Sequence, residues 1–358
     1  MADDVGYIHL LQRIMRRVLK TSVDSAEKIV FDESKRLRFN SKITNVRWDP
    51  TGKSDVVVTY CKTERQGIQN YPCIDDKRYR AKARNFISTF PIGVLKKSIE
   101  CEQKPDEQCP VPVFNPPLSD QPELKQYLDY TEMGILTKVY IQFAIKFWGD
   151  KETYFTPSNS SGYDCDAAPL IYSLDGENGL KGSAMVAIAL TGERGKEAAD
   201  IAADETKNTL EWVCEQFIDV FNLHFQDRIQ KTYGKDKLVC SDIVDIFIPT
   251  WSNDPLSHGC WVAPLLGSAG KLNFDFPVMG NMILSGEGTC DRHSGWVPGA
   301  WFSGDRSSRL MLKDRVKGFE DLSVLTLCDE KAVDYFDFNE ETCFFDIKDG
   351  NFATQEES

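Results

Sequence analysis

A strand that ends in glycine and a carboxylate, then re-enters a helix through more glycines, can fold in few ways. Residues 284–306 read like that. Apolar Met282, Ile283 and Leu284 run into Gly286-Glu287-Gly288-Thr289, and a short polar loop follows. Gly295-Trp296-Val297-Pro298-Gly299 then opens a helix expected to reach about Leu312. Such a device suits a dinucleotide. A carboxylate accepts hydrogen bonds from sugar-type hydroxyls, and the free N–H groups and positive dipole end of a helix face phosphate. Turns of this shape also occur with no ligand, so the stretch alone leaves both readings open.

Composition narrows the setting. The chain has 358 residues, enough for one large or two ordinary domains, and 41% hydrophobic residues support a real core. A net charge of −13 argues against nucleic acid or an anionic membrane as partner and favours cationic substrates. No apolar run reaches a membrane span, and no signal-type segment follows Met1. The eleven cysteines include no C-x-x-C pair. Their odd number points to reduced thiols and a cytoplasmic protein, although Cys61 with Cys73 and Cys101 with Cys109 sit in polar loops that could be bridged. Asn159-Ser160-Ser161 is a chance-level glycosylation triplet. Beyond Phe319, acids outnumber bases, so residues 313–358 read as an acidic, solvated or partly disordered tail.

Along the chain, residues 5–20 read as an amphipathic helix with a basic outer face. Runs 43–48 and 55–60 flank the turn Asp49-Pro50-Thr51-Gly52 and read as a hairpin. A polar insertion, 61–82, leads to an apolar run, 86–90, expected as the third strand of a small meander. Residues 101–123, rich in Pro and acids, read as a connecting loop. Strands are expected at 136–143, 184–190 and 243–248. A helix is expected over 203–222, with Leu210, Val213, Cys214, Phe217, Ile218 and Phe221 on one face. Interleaved strands and helices make the class α/β, or α+β mixed. Thr191-Gly192-Glu193-Arg194-Gly195-Lys196-Glu197 looks like a phosphate loop but lacks its spacing and its Ser or Thr, and reads as a surface turn.

Three groups of residues could carry chemistry. Lys138 shares a strand face with Tyr140 and Gln142. It is either a solvated lysine or a group that holds a water in a partly buried site. Trp251, Trp261 and Trp296 each read, taken singly, as core tryptophans, although Trp251 and Trp261 share one loop. The four histidines show no catalytic spacing, and no zinc-type cluster or Ser/His/Asp set is arguable.

Gly286, Glu287, Thr289, Gly295, Trp296, Gly299, Ala300, Trp301, Ser303 and Gly304 together resemble the carboxyl-terminal flavin motif of the flavin-containing amine oxidases, which include polyamine and monoamine oxidases and histone lysine demethylases. The resemblance extends more weakly over residues 5–312. It implies an FAD cofactor, a small-molecule amine substrate oxidised with O2, and hydrogen peroxide as product. It gives Lys138, in Thr137-Lys138-Val139 ahead of Phe147-Trp148, the place of the lysine that holds a water at the flavin and assists reoxidation. It gives Trp251 the place of an aromatic packed on the flavin, and Trp261 and Trp296 that of a sandwich around the substrate nitrogen. Asn40-Ser41-Lys42-Ile43-Thr44-Asn45-Val46 resembles the segment whose backbone binds the adenine, implying a contact at Ile43, with Val46 as the second choice. Ser88-Thr89-Phe90-Pro91-Ile92-Gly93-Val94-Leu95 resembles the run beside it, implying contacts at Thr89 and Pro91. Val297 would offer its N–H to phosphate.

The family's Gly-x-Gly-x-x-Gly unit has no counterpart in these residues. The expected fold is therefore an incomplete FAD-binding domain, residues 1–100 and 271–312, plus a substrate domain of mixed sheet and flanking helices, residues 101–270. Such a chain is expected to hold FAD weakly or not at all. Three explanations stay open: a truncated product, one half of a split enzyme whose other chain supplies the missing half, or a non-catalytic binding or scaffold relative that has lost the cofactor.

Overall fold

The computed structural model describes residues 38–64, 71–104, 109–149, 154–155, 170–175, 180–265, 279–290, 293–312, 336–339 and 344–347. The helix expected over 5–20 and the Asn159 triplet lie outside them. The class is mixed α/β, as expected. Two compact units emerge: Met1–Lys42, Cys61–Lys77 and Gly134–Cys260 form one, and Ile43–Tyr60, Arg78–Met133 and Trp261–Ser358 form the other.

In the second unit, β1 (Ser41–Arg47), β2 (Val56–Lys62), β3 (Tyr79–Ala83) and β5 (Val113–Asn115) form one sheet, ordered β3-β2-β1-β5. The hairpin forms as expected, but its third strand is β3, inside the polar insertion. Most β3 side chains are exposed, so no apolar alternation marks it. The run expected as third strand supplies β4 (Phe86–Ser88), which pairs in parallel with β13 (Met282–Leu284). Strand β5, in the expected connecting loop, pairs in parallel with β1. That pairing draws residues 101–133 into this unit, so its border differs from the one expected at 101. Helices α1 (Ile92–Glu102) and α2 (Pro122–Asp129) pack Ile92, Leu95, Leu124, Tyr127 and Leu128 into a core with Val46, Val56, Phe114, Met282 and Leu284. Each large side chain buried there contributes about 1.5–3 kcal/mol. Within the expected acidic tail, β14 (Phe336–Asn339) and β15 (Phe344–Ile347) form an antiparallel hairpin.

The turn after β1 is fixed by its own carboxylate and by a distant glycine. Asp49 accepts hydrogen bonds from the Thr51 hydroxyl and the Thr51, Lys53 and Ser54 amides, which hold its carboxyl far below the usual range. Asn281, 2% exposed, accepts from the Asp49 N–H and donates to the Ser54 carbonyl. A Cβ on Gly280 (φ +58°) would lie 2.1 Å from the Asp49 carbonyl oxygen, so only glycine fits.

The first unit is a five-stranded antiparallel sheet, β11-β7-β10-β9-β8. Its strands are β7 (Leu136–Phe143), β8 (Tyr154–Phe155), β9 (Leu170–Ser173), β10 (Met185–Thr191) and β11 (Ile243–Phe247). Along β7 burial alternates strictly: Thr137, Val139, Ile141 and Phe143 are buried and Lys138, Tyr140 and Gln142 half-buried. The buried face packs on α3 (Gly192–Ala203) and α4 (Thr209–Tyr233) through Ala198, Val213, Phe217 and Phe221. Helix α4 starts later than expected because the Asn208 side chain caps it, and runs to Gly234, whose φ of +68° ends it. Leu210 is 40% exposed, and Trp212 is buried in its place. The expected surface turn 191–197 is the first turn of α3. Its Gly195 is buried, with room for no Cβ: one would sit 2.6 Å from the Leu190 carbonyl oxygen.

The cysteines depart from the reduced-thiol expectation. Cys61 is bridged to Cys73, Cys101 to Cys109 and Cys214 to Cys240, and Cys290 is also disulfide-bonded. In each of the three pairs the Cα atoms stand 5.7 Å apart, inside the normal range. Cys260 is free. Among the described residues no helix is long and apolar enough to cross a membrane.

Candidate cofactor and substrate site

The parallel pair β4–β13 positions the site. Both strands run side by side, Leu284 opposite Ser88, and both lead into strand-to-helix turns. β4 passes through exposed Thr89 to half-buried Pro91, the N-cap of α1. β13 passes through Gly286 and Glu287 toward α5 (Val297–Leu312). The Ser285 N–H donates to the Ser88 carbonyl at 2.8 Å, so the two turns are adjacent. Ligands of α/β sheets collect at the carboxyl ends of parallel strands. The Ser88 hydroxyl, 1% exposed, has no hydrogen-bond partner among the described residues.

Gly286 has φ +145°, and a Cβ there would meet nothing within 4 Å, so its backbone faces open space. Its N–H donates to Ser303 Oγ at 2.9 Å. That hydroxyl also pairs with Ser285 Oγ at 3.0 Å and Thr289 Oγ1 at 2.5 Å, making a buried knot between the loop and α5. Buried Arg306 donates to the Thr289 carbonyl at 2.7 Å. Tyr127 donates its hydroxyl to the Gly288 carbonyl, and burial first, then the Glu287 carboxylate, pushes that phenol upward.

Glu287 differs from its expected use. Its Oε1 accepts the Val262 N–H at 3.1 Å, and its Oε2 accepts the Gly295 N–H at 2.5 Å and the Ser294 hydroxyl at 3.4 Å. The carboxylate expected to face sugar hydroxyls is largely engaged with main chain.

Trp261 lies half-buried on β12 (Trp261–Pro264), which pairs with β6 (Thr131–Gly134). Its ring is 3.9 Å from where a Gly295 Cβ would stand, so it lies against the turn that carries Trp296. Gly295 takes φ +83°. Trp296, Val297 and Trp301 are 68%, 57% and 59% exposed, a cluster of apolar surface that monomeric proteins seldom leave bare. The first N–H groups of α5 have no intrahelical acceptor. Gly299 has a packing reason: a Cβ there would lie 2.1 Å from the His293 carbonyl oxygen. Ile43 is half-buried on β1 and packs on the core.

Lys138 and Trp251 belong to the first unit. Lys138 Nζ lies 5.8 Å from the Tyr172 ring centre, and Ala189 is its partner on β10. Tyr140, on the same face, has its ring 5.9 Å from that of Phe247, which is 64% exposed. The result is one ammonium group on an aromatic, partly open sheet face. Trp251 is 50% exposed, and its carbonyl accepts the Gly259 N–H and the Ser257 hydroxyl.

The structure thus brings Thr89, Pro91, Gly286, Glu287, Gly295, Trp296, Val297 and Trp261 to one end of the second unit. Tyr127 and Arg306 escaped the sequence reading, and Ser88 was read only as part of the run beside the cofactor. Leu124, Tyr127 and Leu128 at helical spacing were a signal for Tyr127; Arg306 offered none.

Comparison with known proteins bears on this geometry. A family model described as flavin-containing amine oxidoreductase matches residues 13–312. Polyamine oxidase 1 of Zea mays is 23% identical over 321 residues, 87% of this chain and 51% of that protein. Lysine-specific histone demethylase 1 homolog 2 of Arabidopsis thaliana is 28% identical over 236 residues, 64% of this chain and 27% of that protein. A solved putrescine oxidase variant aligns with a TM-score of 0.46 at 13% identity, covering 77% of this chain and 49% of its own. The chain spans about half or less of the length of these proteins.

Proposed function

We propose, since this chain belongs to the flavin-containing amine oxidoreductase family, that it carries the carboxyl-terminal share of an FAD-dependent amine oxidase site. Family membership implies the FAD cofactor. The observation that carries the reading is the parallel pair β4–β13, whose adjacent ends both turn into helices. The residues fit such a group. Gly286 leaves open space beside its backbone, and on the neighbouring strand the buried Ser88 hydroxyl has no hydrogen-bond partner among the described residues. We assign cofactor contacts to Gly286, the Val297 N–H, Trp296, Thr89 and Pro91, with Ile43 as an outer contact. Glu287 acts through the main chain it holds.

When bound, FAD would supply the two-electron acceptor for oxidation of an amine, with dioxygen as the final oxidant. The chain's own residues bind and orient. Trp261 and Trp296 would receive the substrate nitrogen between electron-rich faces, each contact worth about 0.5–2 kcal/mol. Their fixed placement would hold the C–N bond in reacting geometry. Lys138, half-buried among Tyr140 and Tyr172, would hold a water by donating a hydrogen bond. The disulfide bridges favour an oxidising compartment over the cytoplasm. Peroxide release from polyamines, monoamines and methylated lysine peptides, measured on FAD-loaded protein, tests the reading. Turnover of one class supports it, and a protein that takes up no flavin and releases no peroxide favours the reading of a binding or scaffold relative that has lost the cofactor.

A further inference from the structure

We infer that Glu287 is a positioning residue whose one carboxylate sets the spacing of the two tryptophan-bearing loops. Each main-chain amide it accepts directly adjoins a tryptophan. Val262, bound to Oε1 at 3.1 Å, follows Trp261, and Gly295, bound to Oε2 at 2.5 Å, precedes Trp296. The two oxygens belong to one rigid planar group, so neither loop can shift without breaking a bond to it. Hydrogen bonds to an ionised acceptor are roughly twice as strong as neutral ones.

The clamp is itself anchored. Glu287 begins a 3-10 turn, Glu287–Thr289, that Tyr127 holds at the Gly288 carbonyl and Arg306 at the Thr289 carbonyl. The Thr289 hydroxyl donates to the Gly286 carbonyl at 2.9 Å. Gly288 fits so closely under β12 that a Cβ would stand 2.4 Å from Val262 Cγ2. Carboxylate, β12 and the Gly295 turn therefore move as one body. A glutamine in this place has the right shape and the wrong polarity. Its amide nitrogen would face one of two N–H donors, and one loop would lose its acceptor.

The functional consequence rests on the proposal that Trp261 and Trp296 receive the substrate cation, and the test separates the two ideas. The full chain and its Glu287→Gln, Glu287→Asp, Trp261→Ala and Trp296→Ala variants would be compared for hydrogen exchange at the Val262 and Gly295 amides. Binding of tetramethylammonium would be followed by tryptophan emission. Glu287→Asp keeps the charge, shortens the reach by one methylene and guards against a folding defect in Glu287→Gln. The inference expects about tenfold or faster exchange at one or both amides in either Glu287 variant. It also expects cation affinity to fall about 2- to 30-fold, as in the tryptophan variants. Unchanged exchange at both amides overturns the clamp. Weaker cation binding in the tryptophan variants alone overturns its role in spacing and leaves the aromatic-pair reading standing. No measurable cation binding by the unmodified chain, or binding indifferent to both tryptophans, overturns the aromatic-pair reading and the consequence drawn from it.

Discussion

At the scale of single residues, glycines and carboxylates carry the tightest constraints. Gly280→Ala should cost about 2–4 kcal/mol, because it adds a Cβ against the Asp49 carbonyl oxygen and strains a backbone at φ +58°. Thermal unfolding measures it, and a loss under 1 kcal/mol would mean that the 49–54 turn can move away. Asp49 makes a claim about pH. Its folded carboxyl is depressed by the Thr51 hydroxyl first and then by the Thr51 and Ser54 amides. Its contribution is therefore complete above the unfolded value near 4 and is lost as pH falls through the lower folded value. Asp49→Ala should flatten the acid limb of stability below about pH 4; an unchanged limb would show that the turn tolerates protonation. In flavin-loaded protein, Lys138→Met should slow reoxidation by oxygen far more than anaerobic reduction by amine. Trp261→Ala or Trp296→Ala should weaken amine binding about 2- to 30-fold and slow reduction. Stopped-flow with the two half-reactions measured apart distinguishes these, and equal loss in both for Lys138→Met would return that lysine to a solvated strand role.

At the scale of elements, legibility follows where the partner comes from. Strand β7 could be read because its own alternation records which face is buried. Strand β3 could not, since Tyr79-Arg80-Ala81-Lys82-Ala83 is mostly exposed and pairs through backbone alone. Strand β5 was hidden for another reason: its parallel partner β1 lies far back in the chain, and no local pattern reports it. The Gly286–Glu287 turn was legible as a motif, but the use of its carboxylate was not, because Val262 and Gly295 contribute main-chain N–H groups that any residue except proline would offer. The cysteines needed the folded loops that bring their Cα atoms within bridging range. Native bridges contribute about 2–4 kcal/mol each. Dithiothreitol at neutral pH should therefore lower the unfolding midpoint by several degrees; an unchanged midpoint would mean the bridges do not form in the isolated protein.

At the scale of the whole molecule, family membership and one structural device, the end of the parallel pair β4–β13, stand together. The aromatic pair lies beside that device, and the exposed Trp296, Val297 and Trp301 give it an apolar border. FAD titrated into the full chain and into Gly286→Ala tests this most directly. The added methyl meets no protein atom within 4 Å, so it intrudes on the ligand's space more than on the protein's, beyond a strain of about 1–3 kcal/mol at that backbone. Flavin fluorescence should change saturably with the unmodified chain, and Gly286→Ala, checked for unaltered folding by circular dichroism, should weaken binding about tenfold or more. Saturable FAD binding indifferent to Gly286 would contradict the placement of the cofactor at this turn.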